Sequence, residues 1–399
     1  MKITGIKLYT YTSPYVSKWP SAGRSCGPLD IYPEYACLDR TPNMRGVGGA
    51  GPGEIAGTFL VITTDEGVTG IHGPISYRSQ LLVAVDGLSP HIIGRDPLEN
   101  RLIWDVMSRF DRHARSGLML MAISAVDIAL WDLKGKILGQ PVYKLLGGGR
   151  SKLRPYISTL SFSIELEKAR DKALELKEMG FRAQKWFFRY GPGDGVAGIK
   201  KNLELAFMLR ETLGENYELM FDCWMGWDII YAKTVFRELS KVHPVWVEEV
   251  LRPHMQDGYR ILKAETDVPL SAGEHIYTRM EANSYLRDGI FDVMQSDPEW
   301  CGGITEALRI ADLCEMYGTR FIPHGHSLQP AMHVVASMPP DICPYVECLL
   351  QSYPARVHFF KHNLLDDEGF MLLNDIPGIG EDIDMEKVTA ESEVTCFEL

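Results

Sequence analysis

The sequence contains no long hydrophobic run. Its longest mainly apolar stretch is GLMLMAISAV, at residues 117–126, whereas a helix that crosses a bilayer needs about 20 apolar residues. The first ten residues, MKITGIKLYT, alternate like a strand and lack the apolar segment of a secretory signal. These absences predict a cytoplasmic protein without a membrane partner.

Closely spaced cysteine pairs are also absent. The eight cysteines form no CxxC motif, and they are too sparse in 399 residues for a disulfide-stabilised scaffold. We therefore expect reduced thiols, most of them buried in the core.

Positive charge is scarce as well. The chain has 41 Lys and Arg residues against 53 Asp and Glu residues, which leaves a net charge of −12. This excess of acid argues against nucleic acid as a partner and favours a small molecule, which local cations must hold if it is an anion. The remaining composition, 45% apolar and 24% charged, is typical of a globular chain with about two or three domains.

One glycine motif lacks the surroundings that its function requires. Gly46, Gly48 and Gly51 have GxGxxG spacing, but this motif binds dinucleotides only where a strand precedes it and a helix opens through it. Here TPN precedes the glycines and PG follows them. We therefore interpret the segment as a loop. A nicotinamide-dependent dehydrogenase would need this motif, so a titration with NAD(P) tests that alternative.

From about residue 154 the chain alternates between short apolar runs and amphipathic stretches. Helical patterns such as LELAFMLRETLG and TEALRIADLCEMYG end at a Gly suited to a helix C-cap. Eight such alternations over roughly two hundred residues predict an α/β fold with a TIM-like (β/α)8 barrel rather than an open sheet. The candidate strands are RPYISTLS, FRAQKWFF, YELMFD, PVWVEE, VPLSAGE, FDVMQSD, TRFIPH and PYVECLL.

The segment before the barrel has a different pattern. FLVITTDEGVTGIHG predicts a hairpin that turns at Asp65, Glu66 and Gly67, and LMLMAISAVDIALWDLKGKILG predicts a long, mostly buried helix. Residues 1–125 are therefore expected to form an α+β capping domain and residues 126–352 the barrel. The tail at 353–399 lacks the barrel period and is expected to complete the cap.

Three acidic residues occupy the ends of successive predicted strands. Asp222, Glu248 and Glu274 are each separated by one strand–helix unit, so their side chains are expected at the same mouth of the barrel. Any one of them alone could be a helix N-cap or a surface ion pair. Three carboxylates without His or Cys form a hard oxygen site, which suits Mg²⁺ rather than Zn²⁺.

The next strand ends carry an acid and an imidazole. A hydrogen bond from His324 to Asp297 would select one tautomer of the histidine, raise its pKa and make it a proton acceptor. His326 and His275 are rival bases, but strand alternation turns them away from the mouth and favours structural roles. Glu347, at the eighth strand end, could donate to a substrate oxygen if it retains its proton.

Motifs along nearly the whole chain are similar to those of one family. KWFF, FDCWMGWD, VEEVL, SAGEHIYTR, QSDPEWCGGITEA and PHGHS resemble the enolase superfamily, in its mandelate racemase subgroup. Within it, the sugar-acid dehydratases similar to L-rhamnonate dehydratase show the strongest likeness. The segments AISAVDIALWDLKGKILGQPVYKLLGG and YGPGDGVAGIKKN share it.

This resemblance implies roles for the residues at the mouth. It makes Asp222, Glu248 and Glu274 the ligands of Mg²⁺, with the first glutamate of the pair at 248–249 as the ligand, and Asp297 with His324 the catalytic dyad. Superfamily members use a His or Lys base while Mg²⁺ stabilises an ene-diolate. The likeness also suggests a homo-oligomer, because relatives often assemble.

The second strand end departs from the racemase pattern. Racemases carry Lys-x-Lys there, whereas this chain has Lys185 and Phe187, and Phe187 cannot accept a proton. A base on one face favours elimination over racemisation. Lys185 and Glu347 are expected to hold the substrate carboxylate, and Arg189 either assists the leaving hydroxyl or only holds the loop.

The N-terminal loop departs from rhamnonate dehydratases. Those enzymes carry a histidine that contacts the far end of the sugar, and YVSKWPSAGRSCGPLDIYPEY has none. Arg40 is the candidate for the substrate-binding loop arginine, with Arg45 as a rival. The sequence thus predicts a Mg²⁺-dependent dehydratase of a small anionic sugar acid. An epimerase or cycloisomerase of the same superfamily, and a non-catalytic metal-binding relative, are the alternatives.

Overall fold

The computed structural model describes residues 1–19, 23–36, 53–75 and 83–394. Arg40, Arg45 and the GxGxxG segment lie outside the described residues. Fourteen strands are described, in chain order: β1 Ile3–Pro14, β2 Glu54–Thr64, β3 Thr69–His72, β4 Lys152–Leu153, β5 Pro155–Ser158, β6 Ala183–Phe187, β7 Glu218–Asp222, β8 Val247–Glu248, β9 Leu270–Ala272, β10 Val293–Met294, β11 Arg320–Phe321, β12 Val346–Leu349, β13 Met371–Leu372 and β14 Ala390–Glu393.

The helices follow the predicted amphipathic stretches. The longest, Gly117–Leu138, is buried along most of its length, as its apolar sequence predicts. The other α-helices are Pro33–Ala36, Ser89–Ile92, Asn100–Phe110, Val142–Leu145, Leu166–Glu178, Gly195–Leu213, Ile229–Leu239, Gln256–Glu265, Thr278–Arg287, Pro298–Cys301, Gly303–Tyr317, Leu328–Ser337 and Tyr353–Val357. Shorter helical turns are Pro28–Ile31, Val83–Leu88, Pro192–Asp194, Ser240–Val242 and Gly325–Ser327.

The cap is built on a four-stranded sheet in the order β14, β1, β2, β3. β2 and β3 pair antiparallel across the predicted turn, so the hairpin is confirmed. β14 pairs antiparallel with β1, with Tyr9 opposite Glu393, and the C-terminal segment therefore completes the cap. The predicted boundary at residue 125 falls inside the helix Gly117–Leu138; the domain boundaries stay predictions.

The barrel strands form an eight-stranded sheet in which the last strand, β12, lies beside the first, β5. All pairings within it are parallel. The Phe321 N–H of β11 donates to the carbonyl of Ile342, in the segment that precedes β12, at 2.9 Å. The predicted TIM-like barrel is confirmed. Among the described residues no helix is long and apolar enough to cross a membrane, and the six described cysteines are free and buried.

A layer of buried side chains fills the inside of the barrel. Because side chains alternate between the two faces of a strand, the next inward position lies two residues further along, nearer the C-terminal mouth. The layer consists of Tyr156, Ala183, Met220, Trp246, Val293, Ile322 and Tyr345.

The tail docks on the barrel through a buried histidine. His333 accepts a hydrogen bond from the Tyr143 N–H at Nδ1 (3.0 Å), and its Nε2 lies 3.2 Å from the Ile379 carbonyl. Because an acceptor at Nδ1 and a donor at Nε2 describe a neutral ring, protonation would break the first contact. Burial lowers the pKa of His333 from 6.5 to about 4.

This histidine predicts a pH dependence of stability. As pH falls below 6.5 the unfolded chain binds a proton at His333 before the folded chain does, so the free energy of unfolding decreases down to about pH 4 and then levels off. The decrease from this group is ~3 kcal/mol. His333→Gln should flatten the dependence in urea titrations between pH 7 and 4, whereas the exposed control His113→Gln should not. An unchanged slope in His333→Gln would contradict this assignment.

Candidate active site

Six polar or charged residues at the mouth lie two positions beyond the inner layer of the barrel. Lys185 lies two residues after Ala183, and Asp222 lies two residues after Met220. The same spacing relates the remaining four residues to the layer. The side chains therefore converge at the C-terminal mouth, directly above the apolar layer. Those remaining members are Glu248 after Trp246, Gln295 after Val293, His324 after Ile322 and Glu347 after Tyr345.

Lys185 lies at the centre of this mouth. Its Nζ is 3.0 Å from Asp222 Oδ2, 2.7 Å from Glu248 Oε2 and 2.8 Å from Glu347 Oε1. Burial opposes its charge, but the surrounding carboxylates raise the pKa of Lys185 well above its ordinary value. The residue is therefore a permanent cation and is unsuited to act as a base near neutral pH.

Glu248 is fully buried and only partly satisfied. Its Oε2 accepts from Lys185, from Gln295 Nε2 at 2.8 Å and from Trp246 Nε1 at 3.3 Å. Its Oε1 has no hydrogen-bond partner among the described residues. Burial raises the pKa of Glu248 to about 8, against the opposing effect of Lys185. A buried carboxylate oxygen without a donor is costly, so this atom fits a cation.

His324 and Asp297 form the predicted pair. His324 Nδ1 lies 2.9 Å from Asp297 Oδ2, and its Nε2 lies 3.2 Å from Glu274 Oε2. Burial would lower the pKa of His324, but the charge of Glu274 and the hydrogen bond to Asp297 outweigh it and raise the pKa to about 9. The ring is thus oriented by one carboxylate and faces the mouth with its other nitrogen.

The Glu347 carboxylate contacts a backbone donor and a cation. Its Oε2 accepts from the Gly325 N–H at 2.9 Å, and its Oε1 contacts Lys185. Burial would raise the pKa of Glu347, but the positive charges of Lys185 and His324 hold it below its ordinary value. In this geometry Glu347 accepts hydrogen bonds, and donation from a retained proton stays a prediction.

The predicted metal ligands are divided between two clusters in this geometry. Asp222 and Glu248 turn toward Lys185, whereas Glu274 turns toward the histidines. Ligand atoms of Glu249, Glu274 and His275 lie within 4.8 Å of one another. Burial and the charges of Glu274 and Asp222 raise the pKa of Glu249 well above its ordinary value, because the acids crowd one another. Glu249, which the resemblance set aside, and His275, which strand alternation set aside, are thus geometric candidates for metal ligands.

The rival histidines have other partners. His275 Nε2 lies 3.0 Å from Glu274 Oε1, and its ring stacks on Trp300 at 5.4 Å between centroids. His326 Nδ1 lies 2.6 Å from an Arg356 guanidinium nitrogen. Burial and the Arg356 charge lower the pKa of His326. His324 is the histidine whose ring contacts both Asp297 and a predicted metal ligand.

Two residues near the second strand end line the same region. Phe187 is buried, with Lys185 Nζ 5.5 Å from its ring centroid, and it occupies the position where racemases carry a lysine. The Arg189 guanidinium lies 3.7 Å from Asp30 Oδ2 in the turn Pro28–Ile31. This contact is consistent with the loop-holding alternative for Arg189. The substrate-loop candidates Arg40 and Arg45 lie outside the described residues.

Sequence reasoning missed Gln295 and Trp300. Gln295 bridges Glu248 and, at 3.4 Å, the Tyr156 hydroxyl. Gln295 could have been found from its position two residues before Asp297, because strand alternation places it on the inward face. The Trp300 ring lies 5.0 Å from both His324 and His326. No sequence period marks Trp300, because it belongs to the short helix Pro298–Cys301 beyond the strand.

Comparison with known proteins shows the family. Residues 168–388 match the enolase C-terminal domain-like model, and residues 53–147 match the mandelate racemase / muconate lactonizing enzyme N-terminal domain. The chain belongs to the mandelate racemase / muconate lactonizing enzyme family. An L-rhamnonate dehydratase of Saccharopolyspora erythraea is 32% identical over 364 residues, which cover 88% of this chain and 87% of that protein.

Solved structures of this family share the whole architecture. The rhamnonate dehydratase of Gibberella zeae complexed with Mg has a TM-score of 0.81 at 25% identity, covering 97% of this chain and 96% of that one. The 3,6-anhydro-D-galactonate cycloisomerase of Zobellia galactanivorans has a TM-score of 0.77 at 26% identity, covering 98% and 100%. Family membership is therefore supported by both sequence and fold.

Proposed function

We propose that this protein is a Mg²⁺-dependent sugar-acid dehydratase. It removes the C2 proton of a five- or six-carbon aldonate and eliminates the C3 hydroxyl, and the resulting enol tautomerises to a 2-keto-3-deoxy acid. The observation that carries this proposal is the arrangement of one oriented base, His324 with Asp297, beside a buried cation, Lys185, with no second base at Phe187. The similarity to rhamnonate dehydratases supports the same reaction class.

The residues at the mouth fit a magnesium ion. Asp222, Glu248 and Glu274 offer buried carboxylate oxygens, Glu248 Oε1 has no donor among the described residues, and hard oxygen ligands are those that Mg²⁺ prefers. We assign these three residues as the ligands. When bound, the ion would stabilise the negative charge that develops on the substrate carboxylate.

Side chains of this protein bind the substrate and transfer its proton. Lys185 is a fixed cation that binds the substrate carboxylate and keeps it beside the base. His324 accepts the C2 proton at Nε2, while Asp297 holds the ring through Nδ1. Neutralising the charge of Glu274 would lower the pKa of His324, because that charge raises it. His324 then returns the proton to the departing C3 hydroxyl, which leaves as water.

The asymmetry of the site predicts that one C2 epimer reacts. The C2 hydrogen is removed only where it faces His324, since Phe187 offers no proton acceptor on the other side. This protein resembles relatives that carry a histidine on the same strand and act on acids with R configuration at C2. The expected substrates are therefore C2-R acids such as L-rhamnonate, L-lyxonate, L-mannonate and D-gluconate. We expect one or a few of these to react.

A panel of sugar acids with Mg²⁺ tests this expectation, with the 2-keto product detected as its semicarbazone. The matched control is the C2-S epimer of each acid. Equal turnover of both epimers, or a preference for C2-S acids, would show that a second base exists at this mouth.

A second candidate is a cycloisomerase or epimerase. It is favoured by the likeness to the Zobellia cycloisomerase, which covers nearly all of both chains. Identification of the product by NMR separates the reactions, because a dehydratase yields a ketone with a new methylene group. An isomerase instead yields a product of unchanged composition.

A further inference from the structure

Ser327 has an unusual arrangement for its position. It is the N-cap of the helix Leu328–Ser337, yet its side chain makes no capping hydrogen bond. A serine at this position usually accepts a hydrogen bond from a backbone N–H of its own helix. Here the buried hydroxyl donates to Asp297 Oδ1 at 2.7 Å. Its hydrogen-bonding capacity is therefore directed at the dyad rather than at the helix.

We propose that Ser327 is a positioning residue for the Asp297–His324 dyad. Asp297 Oδ1 accepts from Ser327 Oγ and from the Glu299 N–H, both at 2.7 Å. Asp297 Oδ2 lies 2.9 Å from His324 Nδ1 and 3.4 Å from the Ser327 N–H. The division of donors between the two oxygens sets the rotation of the carboxylate, and Ser327 contributes a donor to each.

Burial and a further contact reinforce this orientation. Ser327 and Asp297 are both buried, and Ser327 Oγ also lies 3.2 Å from the Glu299 N–H. The hydroxyl thus joins the segment after β11 to the segment after β10. Its loss leaves Asp297 with one fewer donor and frees rotation of the carboxylate plane, so that His324 Nδ1 loses its aligned acceptor.

The experiment compares Ser327→Ala with Ser327→Thr, which retains a hydroxyl at the same atom. The control is Ser337→Ala, at the other end of the same helix, where the hydroxyl donates only to the Val334 carbonyl at 2.8 Å among its contacts in the described chain. The kcat and KM values of these variants are measured in the proposed dehydratase reaction, so this test rests on the proposed function. We expect Ser327→Ala to lower kcat about 10- to 100-fold with KM changed less than about twofold, Ser327→Thr to recover most of the loss, and Ser337→Ala to match the parent.

A second measurement needs no turnover and separates failure of this inference from failure of the proposed function. The proton on His324 Nδ1 is expected to give a downfield NMR resonance while it is hydrogen-bonded to Asp297, and its loss in His324→Asn would assign it. Ser327→Ala should shift or broaden this resonance, and Ser327→Thr should restore it. An unchanged resonance, or a kcat loss shared by the threonine variant, overturns the positioning role. If the alanine variant does not fold, Ser327→Gly replaces it with the same expected outcomes, because glycine also lacks the hydroxyl.

Discussion

Loss of turnover by about 10³-fold or more is the expected result of replacing His324 with Asn. Asparagine retains a polar group but cannot accept the C2 proton at neutral pH. Binding of Mg²⁺ and of the sugar acid should persist, because the proposed ligands and Lys185 are untouched. Exchange of the C2 proton with deuterated solvent, followed by NMR, should disappear together with product formation.

The matched control is His326→Asn, two residues further along the same segment. His326 contacts Arg356, and its Nε2 lies 3.4 Å from Glu299. Its replacement should therefore lower the stability of the fold more than the rate of C2 proton exchange. If His326→Asn abolishes exchange while His324→Asn retains it, the base has been assigned to the wrong histidine. Retained catalysis in both variants would show that neither histidine is the base. A parent protein that binds Mg²⁺ but turns over no sugar acid would favour a non-catalytic metal-binding relative.

Replacing Glu248 with Gln is expected to weaken Mg²⁺ binding by at least about 100-fold and to abolish turnover. The change removes one negative charge while preserving the volume of a fully buried side chain, so the barrel should remain folded. Isothermal titration with Mg²⁺ measures the affinity, and circular dichroism checks the fold. Protein stripped with a chelator should be inactive and should recover on addition of Mg²⁺.

Glu249→Gln is the control that the structure makes informative. Glu248 pairs in register with Asp222 across β7 and β8, which favours it as the ligand. Glu249 instead groups with Glu274 and His275. A larger loss of affinity in Glu249→Gln would transfer the metal site to this second cluster. Full activity of chelator-treated protein would remove the metal from the proposal.

The architecture was predictable because the barrel repeats a short local pattern. Each apolar run places its inward side chains at every second position, so the steps from Ala183 to Lys185 and from Met220 to Asp222, which lie within β6 and β7, follow from strand geometry alone. Sequence periodicity also predicted the cap hairpin at Asp65–Gly67 and a buried helix over 118–139. Both are confirmed, and the helix spans Gly117–Leu138. The roles of the site residues stay predictions.

Side-chain partners were less predictable where the strand had already ended. β8 ends at Glu248, β9 at Ala272 and β10 at Met294, so alternation no longer sets the direction of Glu249, Glu274 or Asp297. Glu249 has a positive φ of 43°, a conformation that strand periodicity does not anticipate. Its approach to Glu274 therefore required the tertiary structure.

The sequence by itself determined the barrel, the cap hairpin and the set of charged groups that share one mouth. These features depend on the two-residue alternation within a strand and on the repeat of strand–helix units along the chain. Only the tertiary structure decided the contacts within that set: Glu274 against His324, Arg189 against Asp30, and Ser327 against Asp297. These contacts join segments far apart in the chain, and their geometry depends on irregular backbone after the strands, which no local pattern encodes.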